Sequence, residues 1–192
     1  MRIGFGYDSH RFEGAISEAD NRGSGLQTAC QKLTTTVNLN LQPQPESRPR
    51  PLILGGIEFP GETGLKGHSD ADVLCHAIID ALLGAAALGD IGSHFPDTDA
   101  KWKGADSTEL LASVVKEVRA AGYAVGNIDA TIICEKPKIR PVVEMIRERL
   151  AGVMSVGKGR ISIKGKTNEK MDDVGAGLGI EVHCVALIEE LK

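Results

Sequence analysis

The chain has 192 residues, with 22 Lys and Arg against 26 Asp and Glu, a formal net charge of −4, 42% apolar residues and 25% charged ones. A chain of this length can bury roughly 70% of its unfolded surface around one core without a disulfide scaffold. The acidic balance, with one Trp, two Tyr and four Phe, excludes a nucleic-acid surface, which needs a basic stripe or stacking platforms.

Residues 2–12 have β character and open the fold at once. Residues 13–50 differ in kind: about a quarter are apolar, and Pro43, Pro45, Pro49 and Pro51 cluster at the end. Within them, residues 36–41 alternate polar and apolar, which predicts an added edge strand or hairpin on an insertion of about 13–50, read as a solvated appendage without chemistry. The chain is therefore read as one domain, 1–192, carrying that insertion. Leu52-Ile53-Leu54 and Ile57-Glu58-Phe59 flank Gly55-Gly56 as a second strand region.

Residues 70–88 repeat apolar side chains at three- and four-residue steps, predicting a helix with Ser69 as N-cap, Asp72 at the third helical position and Gly89 as its stop. Further helices are predicted over 107–121, stopped by Gly122, and over 141–153. Strands follow the alternation at 127–134, 160–166 and 179–189. This order predicts an α+β fold, a mixed β-sheet with helices packed on one face. The longest apolar stretch, 77–88, is broken by Asp80 and too short to span a bilayer, and no apolar leader follows Met1-Arg2. Cys30, Cys75, Cys134 and Cys184 form no C-x-x-C pair. A cytoplasmic protein without membrane partners is expected.

Four constellations carry chemistry. In Asp8-Ser9-His10 the first and third residues project to one face of a strand, as a divalent metal requires. His76, on the predicted helix face with Asp72 and Asp80, is a third candidate ligand. Three ligands leave a tetrahedral position open, the catalytic pattern for zinc; a bland reading keeps His76 as a core histidine. His68 and Ser69 stand where a helix start favours an anion. The loop 88–99 is dense in carboxylates and glycines suited to sugar hydroxyls or to a plain connector. Lys164-Gly165-Lys166-Thr167-Asn168-Glu169-Lys170 could meet phosphate oxygens, with Glu169 on a magnesium ion, or be a solvated turn. Ile3-Gly4-Phe5-Gly6 and Gly175-Ala176-Gly177-Leu178-Gly179 lack the strand-to-helix setting of a dinucleotide fingerprint.

Taken in order, G-Y-D-S-H at 6–10, G-H-S-D-A-D-V-L-C-H at 67–76, L-G-A-A-A-L-G-D-I-G-S-H-F-P-D-T-D at 83–99, E-K-P-K at 135–138 and K-T-N-E-K at 166–170 resemble the 2-C-methyl-D-erythritol 2,4-cyclodiphosphate synthases. The resemblance covers the chain except for most of residues 13–50. It implies a homotrimer with active sites between subunits, zinc and a second divalent ion, magnesium or manganese. It implies conversion of 4-diphosphocytidyl-2-C-methyl-D-erythritol 2-phosphate into the cyclic diphosphate plus CMP, in the non-mevalonate isoprenoid pathway.

Carried over by position, Asp8, His10 and His76 match the zinc ligands and Glu169 the second-metal ligand. His68 and Thr167 match the transition-state-stabilising positions. Ser9, Ser69, Asp90, Ile91, Gly92, Phe95, Pro96, Asp97, Thr98 and Asp99 match those holding the methylerythritol phosphate. Cys134, Glu135, Lys136, Pro137, Lys138, Ile139 and Arg140, with Lys166, Thr167 and Asn168, match the cytidine and phosphate pocket of the neighbouring subunit. Ala176 and Leu178 occupy the stretch where family members often place an arginine and a glutamate associated with an isoprenoid-diphosphate cavity on the trimer axis, and Asp173 replaces an apolar or aromatic residue. His183 matches no motif and reads as structural. Two other classes share the pattern: an iron oxygenase with a two-His-one-carboxylate triad, and a trimeric nucleotide-binding module without turnover.

Overall fold

The computed structural model describes residues 1–15 and 50–191. The predicted strand at 36–41 lies outside the described residues. Strands β1 (Arg2–Arg11), β4 (Tyr123–Ile133), β5 (Ile161–Lys166) and β6 (Gly179–Glu190) form a mixed sheet in the order β1-β6-β4-β5. β6 is antiparallel to both β1 and β4, whereas β4 and β5 run parallel. The second strand region resolves into a separate hairpin, β2 (Pro51–Leu54) and β3 (Ile57–Thr63). Gly55 and Gly56, at φ 62° and 71°, supply the left-handed pair that a two-residue hairpin turn demands.

One face of the sheet is apolar by alternation: Ile128, Ala130 and Ile132 on β4 and Ile180, Val182, Cys184, Ala186 and Ile188 on β6 are buried. Helix α1 (Val73–Ala86) lies on this face and is buried almost all round. Its far side is covered by α3 (Ser107–Ala120), which packs in turn on α4 (Val143–Met154). Burying each Leu or Ile of this three-layer core contributes roughly 1.5–3 kcal/mol. Short helices α2 (Ile91–His94) and α5 (Asp172–Gly175) interrupt the loops.

The helix predicted over 70–88 is shorter at both ends. Its N-cap is Asp72 rather than Ser69, because the Asp72 carboxylate accepts from Cys75 N at 3.0 Å. The same carboxylate accepts from Gly55 N and Gly56 N, so it also ties the hairpin turn to the helix start. At the other end Ala87 takes the left-handed position ahead of Gly89 and returns its N–H to Gly84 O. The third predicted helix opens with a 3-10 turn, Arg140–Val142, and the strand predicted at 127–134 begins four residues earlier, at Tyr123.

β1 approaches α1 more closely than side chains permit. A Cβ on Gly4 would lie 1.9 Å from Ala81 O, and one on Gly6 would lie 2.0 Å from Ala77 O. The glycines discounted as a nucleotide motif are thus a packing device that seats strand backbone on helix backbone. The opposite sheet face carries exposed Ile3, Phe5, Tyr7 and Val185. His183 stands among them, its ring 5.0 Å from Tyr7 and 6.0 Å from Phe5.

Candidate metal and ligand site

Gly4, Gly6, Asp8 and His10 share the inner face of β1, so the glycine seat aims the next two side chains at the start of α1. His76, in the first turn of that helix, meets them. Its Nδ1 lies 3.0 Å from Asp8 Oδ2, and His10 Nδ1 lies 3.2 Å from the same oxygen. One ligand atom from each of the three residues falls within 4.8 Å of the others. His10 Nδ1 is buried and makes no hydrogen bond among the described residues. An orphaned imidazole nitrogen beside a carboxylate and a second imidazole is the signature expected of a place built for a cation. Burial pushes the Asp8 carboxyl up, but the two imidazoles beside it win and hold its pKa down at about 2. Burial likewise works against a charged His76, and Asp8, Asp72 and Asp70 outweigh it, raising the imidazole.

Behind His76 lies a chain of buried hydroxyls. Its Nε2 is 2.9 Å from Ser107 Oγ and 3.1 Å from Ser69 Oγ. Ser107 Oγ donates to Asp70 Oδ1, and Ser107 N donates to Asp70 Oδ2 at 3.0 Å.

These groups open onto a cleft of about 440 Å³, lined by Asp8, His10, His68, Ser69, His76, Ile91, Gly92, Phe95, Pro96, Asp97, Trp102 and Leu110. The loop 88–99 is shaped by its carboxylates more than it offers them to the cleft. Asp90 caps α2 through Ser93 N and Oγ, and Asp80 accepts from Ile91 N at 2.7 Å. Asp99 caps the turn Ala100–Trp102, and its carbonyl accepts from His68 Nε2 at 3.2 Å. Phe95 meets Trp102 edge-on, with ring centroids 4.9 Å apart. Ser9 faces the other side of the sheet from Asp8 and His10. Asp90, Thr98 and Asp99 do not line the cleft.

A second cavity of about 600 Å³ sits where the parallel strands β4 and β5 end together, the end of a parallel pair at which ligands collect. Cys134, Pro137, Lys138, Ile139, Arg140, Lys166 and Thr167 line it, with Lys164 and Glu144. The loops after the two strands are joined: Cys134 N donates to Lys166 O, and Asn168 N donates to Glu135 Oε1 at 3.1 Å. Thr167 Oγ1 donates to Glu169 Oε1 at 2.7 Å. Glu169, Lys170 and Asp172, in the loop after Thr167, have φ of 51°, 63° and 55°, so side chains other than glycine hold left-handed backbone there. Burial pushes the Cys134 thiol up to about 11, which keeps it neutral and unreactive.

The structure therefore gathers Asp8, His10, His68, Ser69 and His76 in one cleft and Cys134, Lys138, Arg140, Lys166 and Thr167 in another; among the described residues none lines both. Sequence reasoning missed Trp102, Leu110, Asp70 and Ser107. Trp102 had a signal, being the single tryptophan of the chain next to a carboxylate-rich loop. Ser107 had none beyond its place at a helix start.

The YgbB family profile matches residues 1–189. The 2-C-methyl-D-erythritol 2,4-cyclodiphosphate synthase of Brachyspira hyodysenteriae is 47% identical over 192 residues, covering 100% of both chains. Among solved structures, the bifunctional IspDF from Campylobacter jejuni superposes with a TM-score of 0.79 and 31% identity, over 100% of this chain and 42% of that one. A 2C-methyl-D-erythritol-2,4-cyclodiphosphate synthase in its CDP-bound form gives 0.73 and 31%, over 98% and 100%.

Proposed function

The chain belongs to the YgbB family and shares the cyclodiphosphate synthase activity of isoprenoid biosynthesis for which its curated relatives are named; on that footing we propose that its two cavities are the halves of one composite active site. The observation that carries this reading is the Asp8, His10 and His76 cluster, whose ligand atoms lie within 4.8 Å of one another in the wall of a cleft. One carboxylate and two imidazoles fit zinc with an open position, and the single carboxylate of Glu169 fits magnesium or manganese, which take most of their remaining oxygens from phosphates and water. When bound, the two ions supply Lewis-acid charge neutralisation on phosphate oxygens.

The chain's own residues arrange the rest. The substrate is 4-diphosphocytidyl-2-C-methyl-D-erythritol 2-phosphate. An oxygen of its 2-phosphate forms a bond to the β-phosphorus, the bond from that phosphorus to the CMP oxygen breaks, and CMP leaves with the electron pair. No protein nucleophile is needed. The cleft side chains Ile91, Phe95 and Trp102 supply an apolar wall for the methylerythritol, while Ser69 and Asp97 offer polar contacts. Lys138, Arg140, Lys166 and Thr167 receive the cytidine diphosphate. His68 and Thr167 stabilise charge on the transferring phosphate. Folding nucleophile and electrophile onto one bound substrate gives an effective molarity of order 10⁵ M or more.

Among the described residues, cleft and cavity share no lining residue within one chain, and the outer sheet face exposes Ile3 at 70% and Phe5 at 61%. Both features support a homotrimer in which each cleft meets a neighbour's cavity. The domain reading is one catalytic unit, 1–192, with an insertion at about 13–50. Its support is that the flanks lie together, Arg50 N donating to Glu13 Oε2 at 3.0 Å. Among the described residues no helix is long and apolar enough to cross a membrane, and Cys75, Cys134 and Cys184 are free thiols, which supports a cytoplasmic location.

The test combines metal analysis with CMP release from the diphosphocytidyl substrate. Zinc in the purified protein and release that stops on chelation and returns on zinc addition support the reading. Iron with a 2-oxo acid requirement, or nucleotide binding with no CMP released, would overturn it.

A further inference from the structure

His76 has two nitrogens, and only one can be a ligand. Which one is decided by where the ring hydrogen sits, and that is decided on the side of the ring away from the cleft. Ser107 Oγ lies 2.9 Å from Nε2 and is wholly buried. A serine hydroxyl has one hydrogen to give. Here it goes to Asp70 Oδ1, and the other carboxylate oxygen of Asp70 takes Ser107 N. With its hydrogen committed to a carboxylate, Ser107 Oγ can only accept from Nε2. A bare Nε2 facing it would set lone pair against lone pair at 2.9 Å in a buried place.

Ser69 Oγ, 3.1 Å from the same nitrogen, accepts from Ala71 N at 3.3 Å and lies 3.4 Å from Ser107 Oγ, which has no hydrogen left to give it; with the Ser69 hydrogen turned to Ser107 Oγ, Ser69 presents a lone pair to Nε2 as Ser107 does. Asp70 is itself held, its N–H donating to Ala105 O and its Oδ1 accepting from Asp72 N at 3.2 Å, the residue that caps α1.

We propose that Ser107 and Asp70 are positioning residues that hold the ring hydrogen of His76 on Nε2, so that Nδ1 faces Asp8 and His10 with its lone pair open to the metal. The pair acts through His76 and touches neither substrate nor ion. It also locks the ring plane: a rotation that presented Nε2 to the cleft would leave Ser107 Oγ unpaired in the core. The start of α3 is thereby coupled to the cleft, because Ser107 is its first residue. The inference rests on the reading of Asp8, His10 and His76 as the metal ligands.

The experiment uses Zn²⁺ alone, titrated against a chromophoric chelator, on the full chain. Ser107→Ala is expected to weaken zinc binding about 10- to 100-fold, the range for losing a partner behind a metal-bound histidine, with an unchanged circular dichroism spectrum. In zinc-loaded protein labelled with ¹⁵N-histidine, the wild type shows a slowly exchanging Nε2–H for His76, and Ser107→Ala loses it. Asp70→Asn, which keeps the serine in place, is expected to speed exchange of that hydrogen and weaken zinc in the same direction; it carries the test should Ser107→Ala not fold. Wild-type zinc affinity and a protected Nε2–H in either folded variant would overturn the proposal. If the wild type bound no zinc, the ligand assignment would fail and the pair's role with it. A spectrum showing Nδ1–H and bound Nε2 would sink the pair alone.

Discussion

The cleft and the cavity are opposite in sign and in construction. The cleft draws its donors from a strand and a helix pressed backbone to backbone, with Asp8, His10 and His76 turned into one wall of it. The cavity is made by loops that leave two parallel strands, and it offers Lys138, Arg140 and Lys166. On the proposed reading, one holds a cation with fixed geometry and the other a polyanion with long, adaptable side chains. A reaction between two phosphates needs both, because the cation must be placed to within a fraction of an ångström whereas the nucleotide must only be steered and held.

That division can be broken from either side. The largest effect is expected from His76→Ala, which removes a ligand: zinc content should drop to background and CMP release by more than about 100-fold, while CDP binding to the cavity, read by calorimetry, stays near wild type. Loss of CDP binding as well would mean that the two regions are one. Lys166→Ala should do the reverse. Removing a charge-assisted contact is expected to weaken CDP about 10- to 100-fold with full zinc content, and the loss should shrink in high salt as screening erodes the wild-type advantage.

Gly6→Ala tests the construction itself. A Cβ 2.0 Å from Ala77 O must push β1 off α1, so stability should fall by about 1–3 kcal/mol and zinc affinity with it, whereas CDP affinity holds. The smallest effect is a pH dependence of the metal-free protein. The Asp8 carboxyl is depressed from its usual value to about 2. Its contribution of about 2 kcal/mol is therefore complete above pH ~4 and is lost as pH falls towards 2. Urea midpoints along that range should show it in the wild type and not in Asp8→Asn.

How much of this could be read from the chain alone depends on the range of the forces involved. The strand pair Asp8 and His10 was legible because period two is local. The apolar rhythm of α1 was legible, but its first residue was not: Ser69 is as good a cap by type as Asp72, and the choice was made by Gly55 and Gly56, whose N–H groups lie across the fold. The sheet order was not legible either, since parallel β4 and β5 are joined through α4. Ile3-Gly4-Phe5-Gly6 looked empty of function because the helix it touches is some seventy residues away along the chain. Ser107 stayed hidden for the same reason, its partner Asp70 lying 37 positions earlier.

The glycine seat sets how this site responds to heat and to mutation elsewhere. Where side chains space two elements, loosening the interior lets their gap widen. Here carbonyl oxygens of one element stop against the bare Cα atoms of the other, so the gap is fixed by the van der Waals radii of backbone atoms. Softening of the surrounding aliphatic layer should leave the bite between strand and helix donors unaltered, and the corner formed by Asp8, His10 and His76 ought to be among the last parts of the molecule to lose its shape.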